Sequence, residues 1–269
     1  MNTSISSASR EAAPYSAEKA QGHAGSMFLR KFRRGVQRHG IIGLMGVAAD
    51  RIGSIARNLR PSVRAEARER ARRAEEFDAA FGVDTGGLIH PSALALNHPN
   101  QLHAVSYRGS DPKYFTDAIA SLPVDERFVF VDFGSGKGRA LLLARKFPFK
   151  RIIGVEFSEE LHRIAEENIR RFPKTSGEKE RVECVCLDAT KFALPEDPLV
   201  CYFCNPFDAV IMEQMLTNIE NSLSRNPRAL FFVYYNPKEA HLFAGRETFR
   251  PRATIGPVTI WEAAATERQ

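Results

Sequence analysis

Short apolar runs alternate with helical patterns along the chain from Arg127 onward. The runs are apolar at almost every position, which is typical of strands that are buried on both faces. They lie at residues 128–132, 151–156, 181–187, 199–204 and 229–235, with two shorter candidates at 247–250 and 258–261. Helical patterns fill residues 138–147, 158–171 and 208–223. Strands that alternate with helices predict an α/β fold, with a doubly wound and mostly parallel sheet that helices cover on both sides.

The segments before this alternation differ from it in charge and composition. Residues 26–73 hold 13 Lys and Arg against three acidic residues, whereas the chain from residue 74 carries a net charge of −4. We predict four parts: a tail without regular structure (1–25), a basic helical extension (26–80), a lid or approach segment (81–126) and a catalytic domain (127–269). The extension is open to three interpretations, namely a solvated helix packed on the domain, a membrane-surface anchor, and an arm for an acidic protein or nucleic acid.

The composition argues against several classes of protein. The sequence has no run of the roughly 18 apolar residues that a membrane-spanning helix needs. Its N-terminus lacks the apolar core of a secretion signal, so we expect a cytoplasmic protein. Without such a signal we expect buried structural thiols, and neither disulfides nor zinc, at Cys184, Cys186, Cys201 and Cys204. The histidines show no paired ligand spacing, and no metal is predicted.

A glycine-rich loop follows the first predicted strand, with the sequence Asp132-Phe133-Gly134-Ser135-Gly136-Lys137-Gly138. A dinucleotide-binding fingerprint needs glycine at position 139, where this chain has Arg139, and the P-loop pattern is absent from the sequence. Glycines let a ligand approach the backbone closely. An acid at the end of the preceding strand, Asp132, favours a cationic ligand over a pyrophosphate.

Acidic residues end three consecutive predicted strands, at Asp132, Glu156 and Asp188. Because open α/β sheets bind ligands at the carboxyl ends of their strands, we expect these side chains to border one pocket. A carboxylate in the position of Glu156 can accept both hydroxyls of a ribose. Asp188, followed by Ala189, is placed to accept from an exocyclic amine such as that of adenine.

The fourth predicted strand ends in Asn205-Pro206-Phe207. A side-chain amide beside a proline carbonyl can orient an N–H donor so that its lone pair faces an electrophile. The aromatic ring can form a wall for the same group. We therefore predict that these three residues lie at the reacting centre.

Together, the motifs VDFGSGKGR, GVE, LDA and NPF resemble those of the class I S-adenosylmethionine-dependent methyltransferases, over about residues 127–262. The resemblance implies a seven-stranded sheet whose last strand is antiparallel, and S-adenosyl-L-methionine as the cofactor. It implies that Asp132 and the loop Gly134–Gly138 hold the methionine portion and the sulfonium. It further implies that Glu156 binds the ribose, and that Asp188 with Ala189 binds the adenine.

Within that class, DFGSGKGR…GVE…NPF is similar to the Dot1-type lysine methyltransferases. Amino-directed members of the class carry Asn/Asp-Pro-Pro followed by an aromatic residue, and this chain is one residue shorter. The resemblance implies a nitrogen acceptor, either a protein lysine or a small-molecule amine, and a lid that includes Thr85 and Tyr107. Two alternatives stay open: a non-catalytic methyltransferase-like binding subunit, and a nicotinamide-dependent oxidoreductase, which Arg139 disfavours.

Overall fold

The computed structural model describes residues 61–94, 103–173 and 181–263. The chain divides into two compact units, residues 1–67 and residues 68–269. The first unit is described only from Pro61, so the predicted tail and most of the basic extension lie outside the described residues. The four predicted domain boundaries therefore stay predictions. Among the described residues, no helix combines the length and the apolar character needed to cross a membrane.

Five α-helices and nine strands make up the described parts of the chain. The helices are α1 Pro61–Phe81, α2 Pro112–Ala120, α3 Arg139–Ala144, α4 Glu159–Arg171 and α5 Ala209–Arg225. The strands are β1 Leu88–Ile89, β2 Tyr107–Arg108, β3 Val129–Phe133, β4 Arg151–Glu156, β5 Val182–Cys186, β6 Leu199–Phe203, β7 Leu230–Tyr235, β8 Phe249–Ile255 and β9 Val258–Ala263.

The seven strands β3 to β9 form one sheet in the order β5-β4-β3-β6-β7-β9-β8. All neighbouring pairs from β5 to β7 are parallel, and β9 is antiparallel to both β7 and β8. The predicted doubly wound sheet with an antiparallel last strand is thus confirmed. Because the chain leaves β3 towards β4 and later returns to its other side with β6, the order reverses beside β3. Open α/β sheets bind their ligands in the crevice at such a reversal.

Helices cover both faces of the sheet, because its central strands are buried on both sides. Phe130 of β3 packs in the cluster that contains α2 and α3, and Val131 and Phe133 pack in the cluster that contains α5. This alternation follows from the two-residue period of a strand. The two-sided core fixes the position of the carboxyl ends of β3, β4 and β6.

Most of the expected elements lie within two residues of the predicted bounds, and two elements, α3 and β8, differ by three or more residues at one end. Helix α3 begins only at Arg139 and ends at Ala144, within the expected 138–147, because Gly138 has a left-handed φ of 83° and stands outside the helix. Strand β8 lies at Phe249–Ile255 and not at 247–250. It pairs with β9 alone, across a turn at Gly256 with φ 55°, and its mostly exposed residues give little apolar signal.

Candidate active site

The glycine loop joins β3 to α3 and packs directly against two other parts of the site. Gly134 and Gly136 have left-handed φ values of 75° and 53°. A Cβ atom on Gly134 would lie 2.4 Å from the Cβ of Pro206, and one on Gly136 would lie 2.1 Å from the ring of Tyr107. Both positions therefore need glycine for its backbone conformation and for its lack of a side chain.

Glu156 ends β4 and is held in place by backbone N–H groups. Its Oε2 accepts a hydrogen bond of 2.8 Å from Gly136 N, and its Oε1 accepts one of 2.9 Å from Ser158 N. Burial raises the pKa of this carboxyl, and the N–H groups of Ser158, Gly136 and Phe157 oppose the rise. Each carboxylate oxygen can accept a second hydrogen bond. Since Glu156 lines the cleft, that capacity is available to a ligand.

Asp132 differs from Glu156 because one of its carboxylate oxygens is buried without a hydrogen-bond partner among the described residues. It is 3% exposed, and its Oδ1 is buried without a hydrogen-bond partner in the described part of the chain. Burial, and secondarily the charge of Glu156 on the neighbouring strand, raise the pKa of Asp132 well above its usual range. A buried acceptor without a hydrogen-bond partner costs free energy, and a ligand that supplies a donor removes this cost. Asp132 lines the same cleft, so a cationic or hydrogen-donating ligand would satisfy it.

The pKa of Asp132 leads to a prediction about stability and pH. Because the folded-state pKa is raised above the unfolded value, protonated Asp132 contributes stability at low pH that is lost as the pH rises from about 3.9 through the folded-state pKa. Asp132→Asn removes this loss, so the ligand-free variant should melt higher than the wild type at pH 8, with a difference that shrinks towards pH 4. Melting curves across this pH range test it, with the exposed Asp117→Asn as the control. A variant that melts lower than the wild type at pH 8 would contradict the assignment of Asp132 as an uncompensated buried acid.

Asp188 and Ala189 border a second, apolar part of the cleft. Oδ1 of Asp188 accepts hydrogen bonds from Thr190 N at 2.9 Å and from Thr190 Oγ1 at 2.8 Å, which caps a short 3-10 helix at Ala189–Lys191. This cavity has about 350 Å³ of empty space and is walled by Val155, Phe157, Leu187, Ala189, Phe207 and Ile211. A flat aromatic group with a polar edge suits it.

The cleft consists of two cavities. The first is lined by Asp132, Glu156 and the glycine loop, and the second is the apolar cavity beside Ala189. They share Ala104, Gly134, Phe157 and Phe207 as lining residues. The first holds about 670 Å³ of empty space, its open mouth included. The structure thus brings the three strand-end acids to one cleft at the reversal of the sheet.

The turn Asn205-Pro206-Phe207 forms the wall of the cleft next to the glycine loop. Asn205 has a left-handed φ of 47° and is 7% exposed. Its Oδ1 accepts a hydrogen bond of 3.4 Å from the hydroxyl of Tyr234. Pro206 packs on Gly134, and Phe207 lines both cavities. Asparagine tolerates the left-handed region better than most residues, which explains its place in this turn.

A covering segment, residues 103–110, lies across this turn. Val105 N donates to Pro206 O at 3.3 Å, and Ala104 forms an antiparallel bridge with Phe207. His103 Nδ1 lies 2.7 Å from Asp208 Oδ2. Chain that precedes the sheet thus lines this side of the cleft, and the lid that the resemblance implied stays a prediction.

The two residues predicted for the lid have different positions. Tyr107 lines the cleft, and its ring lies against Gly136. Thr85 is fully buried and does not line the cleft, but its carbonyl oxygen accepts a 2.8 Å hydrogen bond from the Tyr107 hydroxyl. Thr85 therefore helps to position the Tyr107 side chain and does not itself line the cleft.

Sequence reasoning missed the part played by Arg139. This residue is 3% exposed and donates to Thr85 Oγ1 at 2.6 Å and to Ser110 O at 3.3 Å, with Asp78 Oδ1 at 3.4 Å. It ties α3 to the segment that precedes the sheet. The sequence signal was a cation next to a glycine loop without a phosphate-binding pattern. From the sequence, Arg139 argues only against a dinucleotide site. Its structural role is not visible there, because its hydrogen-bond partners lie 29 to 61 residues away.

Lys137 and Asn168 make further hydrogen bonds to the segment that precedes the sheet. Lys137 Nζ donates to Asp84 Oδ1 at 2.7 Å and to Gly86 O at 3.1 Å. The Asn168 side chain donates to Asp84 O and to Lys137 O, and accepts from Asp84 N. The segment before the sheet is thus hydrogen-bonded to the glycine loop at Lys137 and to α4 at Asn168.

The expectation of buried cysteines is correct for Cys201 and wrong for Cys186, which is exposed. Strand β5 is at the edge of the sheet, so its second face is incompletely covered. Cys184 and Cys204 are partly buried, and Cys204 lines the cleft. All four are free thiols, and the described residues contain no group of three or more His, Cys, Asp or Glu that could hold a metal ion.

Comparison with known proteins gives one family and a set of solved structures. Residues 130–226 match the family model described as a methyltransferase domain. A predicted N6-adenine-specific DNA methylase from Listeria monocytogenes is 12% identical, with 58% of this chain and 51% of that chain covered and a TM-score of 0.45. An RNA methyltransferase from Salinibacter ruber, in complex with S-adenosyl-L-homocysteine, is 22% identical, with 60% and 95% covered and a TM-score of 0.40. The chain spans about half the length of the first of these, and no curated protein matches it.

The matched segment runs from β3 to the end of α5 and includes the glycine loop, Glu156, Asp188 and the Asn205 turn. The match to a methyltransferase domain covers 97 of the 269 residues, and the order of the sheet is that of the Rossmann-like methyltransferase fold. The cofactor of such a domain is S-adenosyl-L-methionine, and the cleft fits its parts. The unpaired Asp132 oxygen suits its cationic portion, the fixed Glu156 carboxylate suits a diol, and the apolar cavity suits an adenine.

Proposed function

We propose that this chain, which carries a methyltransferase domain of class I, transfers the methyl group of S-adenosyl-L-methionine to a nitrogen acceptor. The observation that carries the proposal is the buried Asp132 oxygen without a partner, beside Glu156 in a cleft that continues into an apolar cavity. A cationic nucleoside matches all three features. The Asn205-Pro206-Phe207 turn beside them offers an amide and an aromatic wall to an acceptor group.

The cofactor supplies an electrophilic methyl group on a good leaving group, so the protein has mainly to position and desolvate the reactants. Asp132 and Glu156 would hold the cationic and diol ends of the cofactor. The covering segment packs on the turn at Pro206 and Phe207, and it would limit the access of water to this side of the cleft. An acceptor amine must present its lone pair, and an alkylamine has an unperturbed pKa of about 10.4. Burial lowers that pKa, so exclusion of water favours the neutral amine.

The acceptor class that we propose is an amine, on a protein lysine as in the Dot1-type enzymes or on a small molecule. Transfer of a labelled methyl group to fractionated cell extract, followed by mass spectrometry of the labelled product, tests this. The proposal predicts label on nitrogen, and label on oxygen, sulfur or carbon would contradict it. Partners of the basic extension and the cytoplasmic location remain predictions.

A non-catalytic binding subunit is the second candidate, which the sequence motifs leave open. Such a subunit would bind the cofactor but transfer no methyl group. The transfer assay with Asn205→Ala as the comparison separates the two, since only an enzyme loses label in that variant.

Glu156→Ala should weaken the binding of S-adenosyl-L-homocysteine by about 10- to 150-fold. The lost hydrogen bonds to a charged group are worth about 1.5–3 kcal/mol, which corresponds to that factor. Calorimetric titration measures it. Glu160→Ala, at an exposed acid in the first turn of α4, is the matched control and should bind as the wild type does. A folded Glu156→Ala variant with unchanged affinity would contradict the role of Glu156 as the diol acceptor.

A further inference from the structure

Asp132 and Glu156 are two buried acids on one face of the sheet. Asp132 of β3 pairs with Gly154 of β4, so Glu156, two residues further along β4, lies on the same face as Asp132. The two residues are 3% and 5% exposed, and both line the cleft. Ionisation of both carboxyls at such a site costs free energy, because burial and mutual repulsion disfavour a second negative charge.

The hydrogen bonds of the two acids decide which of them holds a proton. Glu156 accepts from Gly136 N at 2.8 Å and from Ser158 N at 2.9 Å, and these bonds stabilise its ionised form. Oδ1 of Asp132 is buried and has no such donor among the residues that the structure describes. Burial and the charge of Glu156 raise the pKa of Asp132 well above its usual range. In the ligand-free chain, Asp132 is therefore the acid of the pair that retains its proton as the pH rises.

The other titratable and charged side chains around Asp132 do not supply a compensating positive charge. Burial raises the pKa values of a phenol and two thiols in its surroundings, so these groups are neutral at neutral pH: Tyr202, Cys184 and Cys204. Arg139 lines the same cleft, but its guanidinium donates to two oxygens of the pre-sheet segment and lies 3.4 Å from Asp78 Oδ1. Arg108, the second arginine of the lining, is exposed to solvent. A ligand therefore has to bring the positive charge that Asp132 lacks.

We infer that Asp132 gives up its proton when a positive charge of the cofactor enters the cleft, and that it thereby couples the binding of S-adenosyl-L-methionine to pH. The O–H bond of the carboxyl breaks, the carboxylate stays beside the cation, and the proton goes to water or buffer. The inference rests on the proposed function, because it takes the cofactor of that function as the ligand. S-adenosyl-L-methionine carries two positive charges, on its sulfonium and on its α-ammonium group, and either supplies the charge that Asp132 needs.

The direction of the pH dependence follows from the two states of Asp132. A nearby cation lowers the pKa of Asp132 in the complex, whereas burial holds this pKa high in the ligand-free chain. Between the two pKa values the complex holds one proton fewer, so the affinity for the cofactor rises with pH, by up to about tenfold per pH unit. Below the lower value both states are protonated, and above the higher value both are ionised, so the affinity levels off at each end.

Titration calorimetry in two buffers of different ionisation enthalpy counts the protons that are released on binding, without a methyl acceptor and without turnover. Three ligands separate the two charges. S-adenosyl-L-methionine carries both, S-adenosyl-L-homocysteine keeps only the ammonium group, and 5′-methylthioadenosine carries neither. Between about pH 5.5 and about pH 7.5 we expect a maximum of about one proton released with S-adenosyl-L-methionine, and none with 5′-methylthioadenosine. Release with S-adenosyl-L-homocysteine assigns the ammonium group as the partner of Asp132, and no release with it assigns the sulfonium.

Asp132→Asn removes the acidic proton and keeps the size of the side chain, so it should release no proton with any of the three ligands. Asp117→Asn is the same substitution at an acid of α2 whose side chain is 42% exposed. It is the matched control and should release as many protons as the wild type. Melting curves establish that each variant is folded.

Binding of S-adenosyl-L-methionine to the wild type without proton release overturns the inference and leaves the proposed function intact. Release that persists in folded Asp132→Asn overturns the role of Asp132. Equal release with 5′-methylthioadenosine overturns the coupling to the charge of the ligand, and this comparison in the wild type does not depend on the folding of any variant. A wild type that binds neither S-adenosyl-L-methionine nor S-adenosyl-L-homocysteine overturns the proposed function, and the inference with it.

Discussion

Gly136→Ala is expected to abolish measurable binding of S-adenosyl-L-homocysteine. The new Cβ would lie 2.1 Å from a carbon of the Tyr107 ring, which is far inside van der Waals contact, and the residue has a left-handed φ of 53°. The loop or Tyr107 must move, and Gly136 N then no longer donates to Glu156 at 2.8 Å. Calorimetric titration should show the affinity lowered by at least about 100-fold, because the ring and the carboxylate are displaced together.

The control for this variant is Gly245→Ala. Gly245 has a similar φ of 78°, but nothing lies within 4 Å of an added Cβ atom there. It therefore carries the backbone strain of the first substitution without the steric overlap. Wild-type affinity in Gly245→Ala and lost affinity in Gly136→Ala would assign the effect to the packing of Tyr107 on the loop. Normal binding by Gly136→Ala would contradict the description of the cleft.

Arg139→Met is expected to destabilise the protein by about 3–5 kcal/mol, because removal of one partner leaves buried polar groups unpaired. Thr85 Oγ1 and Ser110 O lose a donor, and Asp78 loses a neighbouring cation. The methionine has a similar length, so the change removes charge and hydrogen bonds more than volume. Urea unfolding followed by circular dichroism measures the free energy of unfolding.

Arg127→Met is the comparison for that measurement. Arg127 pairs with Asp125 at 2.6 Å, but its side chain is 77% exposed, and exposed pairs contribute little to stability. Its unfolding midpoint should stay close to that of the wild type. If Arg139→Met unfolds at the same urea concentration as Arg127→Met, the buried network does not hold the pre-sheet segment to α3.

Elements with strong local signals were predictable from the sequence. Strand β4 has the expected bounds, Arg151–Glu156, because every residue from Ile152 onward is buried. Helix α4 begins after Ser158 as expected, since the Ser158 hydroxyl accepts from Leu161 N and caps it. The convergence of three acids followed from the rule that parallel strands share one carboxyl edge.

Features that depend on distant partners were not predictable. The buried position of Arg139 depends on Asp78, which is 61 residues away, and no local pattern encodes that pairing. The contact of the Tyr234 hydroxyl with Asn205 Oδ1 likewise joins residues that lie 29 positions apart. The exposure of Cys186 follows from the edge position of β5, which is a property of the sheet order and not of the C-x-C spacing.

A crystal structure of the protein with S-adenosyl-L-homocysteine tests the central assignment most directly. We expect the ribose hydroxyls within 3.2 Å of the Glu156 carboxylate, the adenine between Val155 and Ile211, and the amino-acid portion beside Asp132. Electron density for the ligand away from these residues, or a cleft that stays empty at saturating ligand, would contradict it.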